Sequence, residues 1–222
     1  MSDRTVVNLS NVYLTSDRGF EVFQDLNFSL KAERSAIITG AAGSGKSLLV
    51  ELLIGRRFAD SGSVEVLGEA LNKPGRRRII KRVRRQIGGV GGIFALVPSY
   101  TVSENITFPL VLGAARKKVR KERLMKMLTE FSLLKQAGTL PQRLTRVEHT
   151  LVQLARATVA NQPLIIIDEP LAGLDQKTYE RIYEYMVKLA LSGRSMIILS
   201  GETLPTNFPN TDRYQIMNGA LV

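Results

Sequence analysis

The sequence contains no cysteine, so disulfide bonds and thiolate chemistry are excluded. It has a single histidine, His149, which rules out a metal centre built from several imidazoles. No apolar run approaches the roughly 20 residues that a bilayer-spanning helix needs. The opening stretch MSDRTVVNLS lacks the charged-then-apolar layout of a secretory leader, which makes the cytoplasm the expected address. Internal repeats and low-complexity linkers are missing as well. What remains is ordinary for a globular chain: 222 residues, 44% hydrophobic and 23% charged, long enough to bury a large core in one domain or two lobes.

Acidic charge is in short supply, with 20 Asp and Glu against 31 Lys and Arg and a net charge of +11. The excess is concentrated. RRRIIKRVRR (76–85) carries seven basic residues in ten, and RKKVRKER (116–123) carries six in eight. Such clusters attract phosphates on lipid headgroups or nucleic acid, or the acidic face of a protein. The plain alternative is a solvated helix face. Neither cluster is interleaved with aromatics, which argues against a stacking platform for single-stranded nucleic acid.

Strand-like segments dominate the first third: VVNLSNVYL, EVFQDLNFSL and the buried-type run SAIIT (35–39). A helix is expected from about 45 to 57, then a strand at GSVEVLG, with the basic segment 76–85 opening as a helix or turn before QIGGVGG. Residues 94–160 carry helical spacing, with breaks expected at Pro98, Pro109, Gly113, Gly138 and Pro141. PLIIID and SMIILS are buried strands flanking the helix QKTYERIYEYMVKLALSG, and Asn218-Gly219 is a hairpin dipeptide. The pattern predicts an α/β fold: a core with a mostly parallel sheet, an N-terminal antiparallel β subdomain and an inserted α-helical subdomain. The core and β subdomain are expected over 1–92 and 161–222, and the helical insertion over 93–160.

Two motifs carry chemistry. GAAGSGKS, residues 40–47, fits the phosphate-loop pattern with a buried strand before it and a helix after it. Gly40, Ala41, Ala42, Gly43, Ser44 and Gly45 would wrap backbone amides around a phosphate chain. Lys46 would reach the terminal phosphates, Ser47 would ligate Mg²⁺, and Leu48 follows at the helix start. LIIIDEP (164–170) ends a buried strand in Asp168 and Glu169, at the sheet edge where parallel α/β folds bind ligands. Asp168 is placed to hold Mg²⁺, mostly through water. Glu169 would act as a general base for an attacking water or simply polarise it.

With GAAGSGKS, IIIDEP and LAGLD (171–175) in this order, the chain resembles the ATP-binding cassette ATPases along essentially its whole length. RRQIG (84–88), TVSENITFPL (101–110), LARA (154–157) and the lack of extra domains make it most similar to the compact FtsE and LolD type. The resemblance implies a P-loop NTPase core, ATP and Mg²⁺ as ligands, and a membrane protein partner. It also implies a second cassette, like or unlike, sandwiching two ATP molecules, at the inner face of the plasma membrane. An aromatic stacked on adenine is implied too. Tyr13 matches that place, with Phe20 second because TSDRGFE lengthens the loop.

Several family features are altered. The signature turn, usually Leu-Ser-Gly-Gly followed by Glu or Gln, corresponds to Leu144, Thr145, Arg146, Val147 and Glu148. Thr145 and Glu148 form a capping-box pattern, but both glycines are gone, and Val147 is branched where backbone should approach a phosphate closely. Arg146 either obstructs the turn or pairs with a phosphate oxygen; lost backbone freedom favours obstruction. The family's glutamine falls on Gly92, its switch histidine on Gly201, and a hydroxyl residue on Leu48. The expectation is a cassette that binds Mg-ATP with impaired hydrolysis, or a non-hydrolysing scaffold in a heterodimer. The basic segments would suit an anionic lipid surface, and a soluble nucleic-acid-associated ATPase is disfavoured.

Overall fold

A computed structural model describes residues 4–73 and 75–222. Two long strands, β1 (Thr5–Thr15) and β2 (Glu21–Lys31), pair antiparallel and alternate buried with exposed residues. This is the period-2 signature of a sheet with one covered face. β4 (Ser61–Val66) and β5 (Glu69–Ala70) complete an antiparallel sheet in the order β2-β1-β4-β5.

The second sheet has the order β10-β9-β3-β8-β7-β6. Its centre is parallel: β3 (Ser35–Thr39), β6 (Ile87–Gly91), β7 (Leu164–Asp168), β8 (Ser195–Ser200) and β9 (Thr211–Met217). β10 (Ala220–Leu221) folds back on β9 after Asn218-Gly219. Every residue of β7 and β8 is buried, because both faces of a parallel sheet are covered. Neighbouring residues of β3 therefore feed different cores. Ile38 joins the cluster with β1, β2 and α1 (Lys46–Leu53). Ile37 joins the cluster beneath α3 (Val102–Leu112), α4 (Lys117–Glu130), α5 (Arg146–Thr158) and α6 (Gln176–Leu191).

Two local expectations are corrected. α1 ends at Leu53 rather than near 57. Beyond it the chain turns at Gly55, φ +61°, and Arg84 of α2 (Arg77–Arg85) donates to the freed carbonyls of Ile54 and Gly55. α3 is not broken at Pro109 but runs three residues past it to Leu112. That proline removes one helix bond near an end, while Ile106 and Leu110 on either side are buried in the core. Within QIGGVGG, where the sequence pattern predicts no element, Ile87–Gly91 forms the edge strand β6, in register with β7.

Candidate functional site

The loop from Gly40 to Ser47 joins β3 to α1 and fits a phosphate chain on three counts. α1 starts without a side-chain cap and without an acidic residue in its first turn, so its leading N–H groups are left for an external anion. The buried Ser44 hydroxyl has no hydrogen-bond partner. Gly45 has φ +103°, and a Cβ there would lie 2.7 Å from Val22 and 2.9 Å from Phe23, so only glycine lets the loop pass.

Lys46 is buried and folded back. Its Nζ donates to Gly40 O at 2.5 Å and Ala41 O at 3.1 Å, and lies 3.4 Å from Glu169 Oε1. A cleft of about 350 Å³ brings Ala42, Gly43, Gly45, Lys46, Ser47 and Leu48 together with Asp168 and Glu169. Asp168 is pushed above the ordinary aspartate range by burial and then by the Glu169 carboxylate, against an opposing pull from Lys46. Glu169 has φ +52°, and its Oε2 accepts from Gly201 N at 2.9 Å. The Ser47 hydroxyl and Asp168 are hard oxygen donors on this cleft, beside Glu169, which Lys46 and Gly201 N already engage. Among the described residues no three His, Cys, Asp or Glu gather into a metal cage. Two donors suit Mg²⁺, which keeps waters and completes its shell with phosphate oxygens.

The turn before α5 is internally engaged. Thr145 Oγ1 donates to Glu148 Oε2 at 2.9 Å and accepts from Glu148 N at 3.3 Å, and Glu148 Oε2 accepts from Thr145 N at 2.8 Å. Arg146 reaches across to the turn after Glu169, donating to Ala172 O at 2.5 Å and Gly173 O at 3.3 Å. Val147 packs partly buried against the helical core. Glu148 is held below the usual glutamate range, first by the Thr145 N–H. Its cap is therefore complete above the ordinary glutamate pKa and is lost as pH falls through the lowered value. Thr145→Ala is expected to cost about 1 kcal/mol in denaturant unfolding and to speed amide exchange at the start of α5.

A second cleft flanks the loop, lined by Ser16, Phe20, Val22, Gly43, Ser44 and Leu48. Phe20 is the aromatic on it. Tyr13 does not line it; it lies on β1 opposite Ser61, 45% exposed. Two site neighbours went unread in the sequence, Gln153 and Arg156, both on α5. Gln153 contacts Gly91 and Phe94, and Arg156 contacts Phe94 and Ala95. The available signal was an amide set among the apolar positions Leu151, Val152, Leu154 and Ala155. His149 does not line the cleft, and burial, then the Arg156 charge, holds it below the usual histidine range.

Residues 23–172 match the family model for ABC transporters. The lipoprotein-releasing system ATP-binding protein LolD 1 of Rhodopirellula baltica is 29% identical over 220 residues, spanning 98% of this chain and 95% of that protein. LolD of Pseudomonas syringae pv. tomato is 30% identical over 202 residues, 90% and 89% of the two chains. Among solved structures, the dimeric post-hydrolysis state of the ATP-binding cassette MJ0796 bound to ADP and Pi has a TM-score of 0.85 at 26% identity, covering 97% of this chain and 96% of that one. With a phosphate loop and an acidic strand end facing one cleft, and a family match over most of its length, the chain belongs to the ABC transporter family as an ATP-binding cassette.

Proposed function

We propose that this cassette binds Mg-ATP, pairs with a second cassette and drives a membrane protein partner, with slow hydrolysis. The observation that carries the reading is the single cleft joining the uncapped α1, Lys46 and Ser47 to Asp168 and Glu169. The loop amides and Lys46 would hold the phosphates, Ser47 and Asp168 would orient the cation, and Glu169 would take the proton of an attacking water. Mg²⁺ supplies neutralisation of phosphate charge. Slow turnover follows from three substitutions: glycine at 92 and 201, and an arginine at 146 that spends its donors on its own chain.

Pairing is supported by likeness to the dimeric MJ0796 cassette, and a membrane partner by likeness to the lipoprotein-releasing LolD proteins. Among the described residues no helix is long and apolar enough to cross a membrane, so attachment would run through the partner at the inner face. α2 buries Ile80 and Val83 and turns Arg77, Arg78, Lys81 and Arg85 outward. Those cations would suit anionic lipid around that partner. The engaged signature turn also favours a second reading, a heterodimer in which an unlike cassette supplies the working site.

Light scattering of the purified chain with and without Mg-ATP tests this. A nucleotide-dependent shift from monomer to dimer is expected in the Glu169→Gln background. A nucleotide-bound protein that dimerises only when an unlike cassette is added selects the heterodimer, and a chain that binds no nucleotide overturns both readings.

A further inference from the structure

Position 92 is glycine, yet a glutamine side chain reaches the same turn from another element. We propose that Gln153, in the middle of α5, is a positioning residue for Asp168, clamping the Gly91–Phe94 turn against that carboxylate. The inference rests on the Mg-ATP reading of the site given above.

Gln153 is 5% exposed. Its Oε1 accepts from Gly91 N at 3.2 Å, and its Nε2 donates to Phe94 O at 3.1 Å. Those atoms are the two ends of one turn, which Phe94 N closes onto Gly91 O at 2.9 Å. One amide thus spans the whole turn. Arg156, three residues further along α5, adds a donor to Ala95 O at 2.9 Å and another to Phe94 O.

The turn in turn forms a wall beside Asp168. Gly91 is the register partner of Asp168 across β6 and β7. A Cβ on Gly91 would lie 2.0 Å from Asp168 O, and one on Gly92 would lie 2.1 Å from Asp168 Oδ2. The backbone therefore touches both the main chain and the carboxylate of the proposed cation ligand. Groups that orient a ligand from behind typically change metal affinity by about 10–100-fold when lost. The far side of the same turn is exposed to a groove of about 530 Å³, lined by Phe94, Ala95, Phe108, Leu112 and Arg156.

The test compares wild type, Gln153→Leu and Gln153→Glu. ATP affinity is measured in EDTA, Mn²⁺ affinity of the ATP complex by electron paramagnetic resonance, and exchange of the Gly91 amide in nucleotide-free protein. Leucine leaves the Gly91 N–H and Phe94 carbonyl without this partner. It should weaken Mn²⁺ by about tenfold, leave ATP affinity in EDTA within about twofold, and speed exchange at Gly91. Glutamate keeps the acceptor for Gly91 N but not the donor to Phe94 O, so it should slow exchange at Gly91 relative to leucine and recover only part of the loss. Folded Gln153→Leu protein that binds Mn²⁺ as wild type does overturns the proposal, as does an equal loss with and without metal, which would mean a purely structural role. If wild type binds no Mn-ATP, the reading of the site fails, and unchanged exchange at Gly91 would still overturn the clamp.

Discussion

Glu169→Gln is expected to leave Mg-ATP binding intact and to slow single-turnover hydrolysis by about 10²–10⁴-fold, the range for removing a general base. Glutamine preserves the shape of the side chain and its acceptor for Gly201 N, so the strand end keeps its geometry. It removes the charge 3.4 Å from Lys46 Nζ and the capacity to accept a proton from water. Lys46→Ala should behave in the opposite way. The ammonium group now satisfied by Gly40 O, Ala41 O and Glu169 would have moved onto phosphate oxygens. Losing it removes charge-assisted bonding worth about 1.5–3 kcal/mol, or roughly 10–150-fold in affinity. Rapid-quench assays with enzyme in excess separate the two variants. Wild-type turnover equal to that of Glu169→Gln would show that the isolated chain does not use Glu169 as a base.

The two acidic residues and the phosphate loop were legible because each sits where the sequence changes period. SAIIT and LIIID are buried strands, and the residues that follow them must emerge at one sheet edge, since β3 and β7 run parallel with only β8 between them. The strand order itself is not written in any segment. It follows from which apolar faces pack, so Ile37 and Ile38 had to be seen in three dimensions to be assigned to separate cores. QIGGVGG carried no strand reading, because glycines usually mark loops. Here Gly88 and Gly89 face Ala157 O and the Phe94 ring at distances no side chain tolerates, so the strand needs them for close packing. The signature turn was legible as a helix cap and illegible as a contact. Thr145 and Glu148 are local partners, whereas the acceptors of Arg146 lie 26 and 27 residues further along the chain. Both terminal nitrogens of Arg146 are engaged within the chain, a contact that no local pattern announces.

Placing at 92 and 201 the glutamine and histidine that the family resemblance implies there should give opposite results. At 201 a Cβ would stand 3.4 Å from Glu169 Oε1, an ordinary contact, so Gly201→His is expected to fold with a change within about 1 kcal/mol. Position 92 has φ +44° and no room, because the Cβ would overlap Asp168 Oδ2 at 2.1 Å. Gly92→Gln therefore combines a left-handed residue, about 1–2 kcal/mol, with overpacking of about 1–3 kcal/mol. A loss on the order of 3 kcal/mol corresponds to a fall of roughly 6–12 °C in Tm for a chain of this size. The overlap can be relieved only by moving the turn or the carboxylate, and either change disturbs the place where Asp168 would hold the cation. The Mg²⁺-dependent gain in ATP affinity should thus shrink in Gly92→Gln and persist in Gly201→His, measured by calorimetric titration with and without Mg²⁺. A Gly92→Gln protein with wild-type melting and an undiminished Mg²⁺ response would show that the turn can accept a side chain. The glycine at 92 would then be a replaceable loss. If the expected result holds, glycine at 92 and the amide of Gln153 belong together: the turn lies too close to Asp168 to carry a glutamine of its own, and α5 holds it from behind.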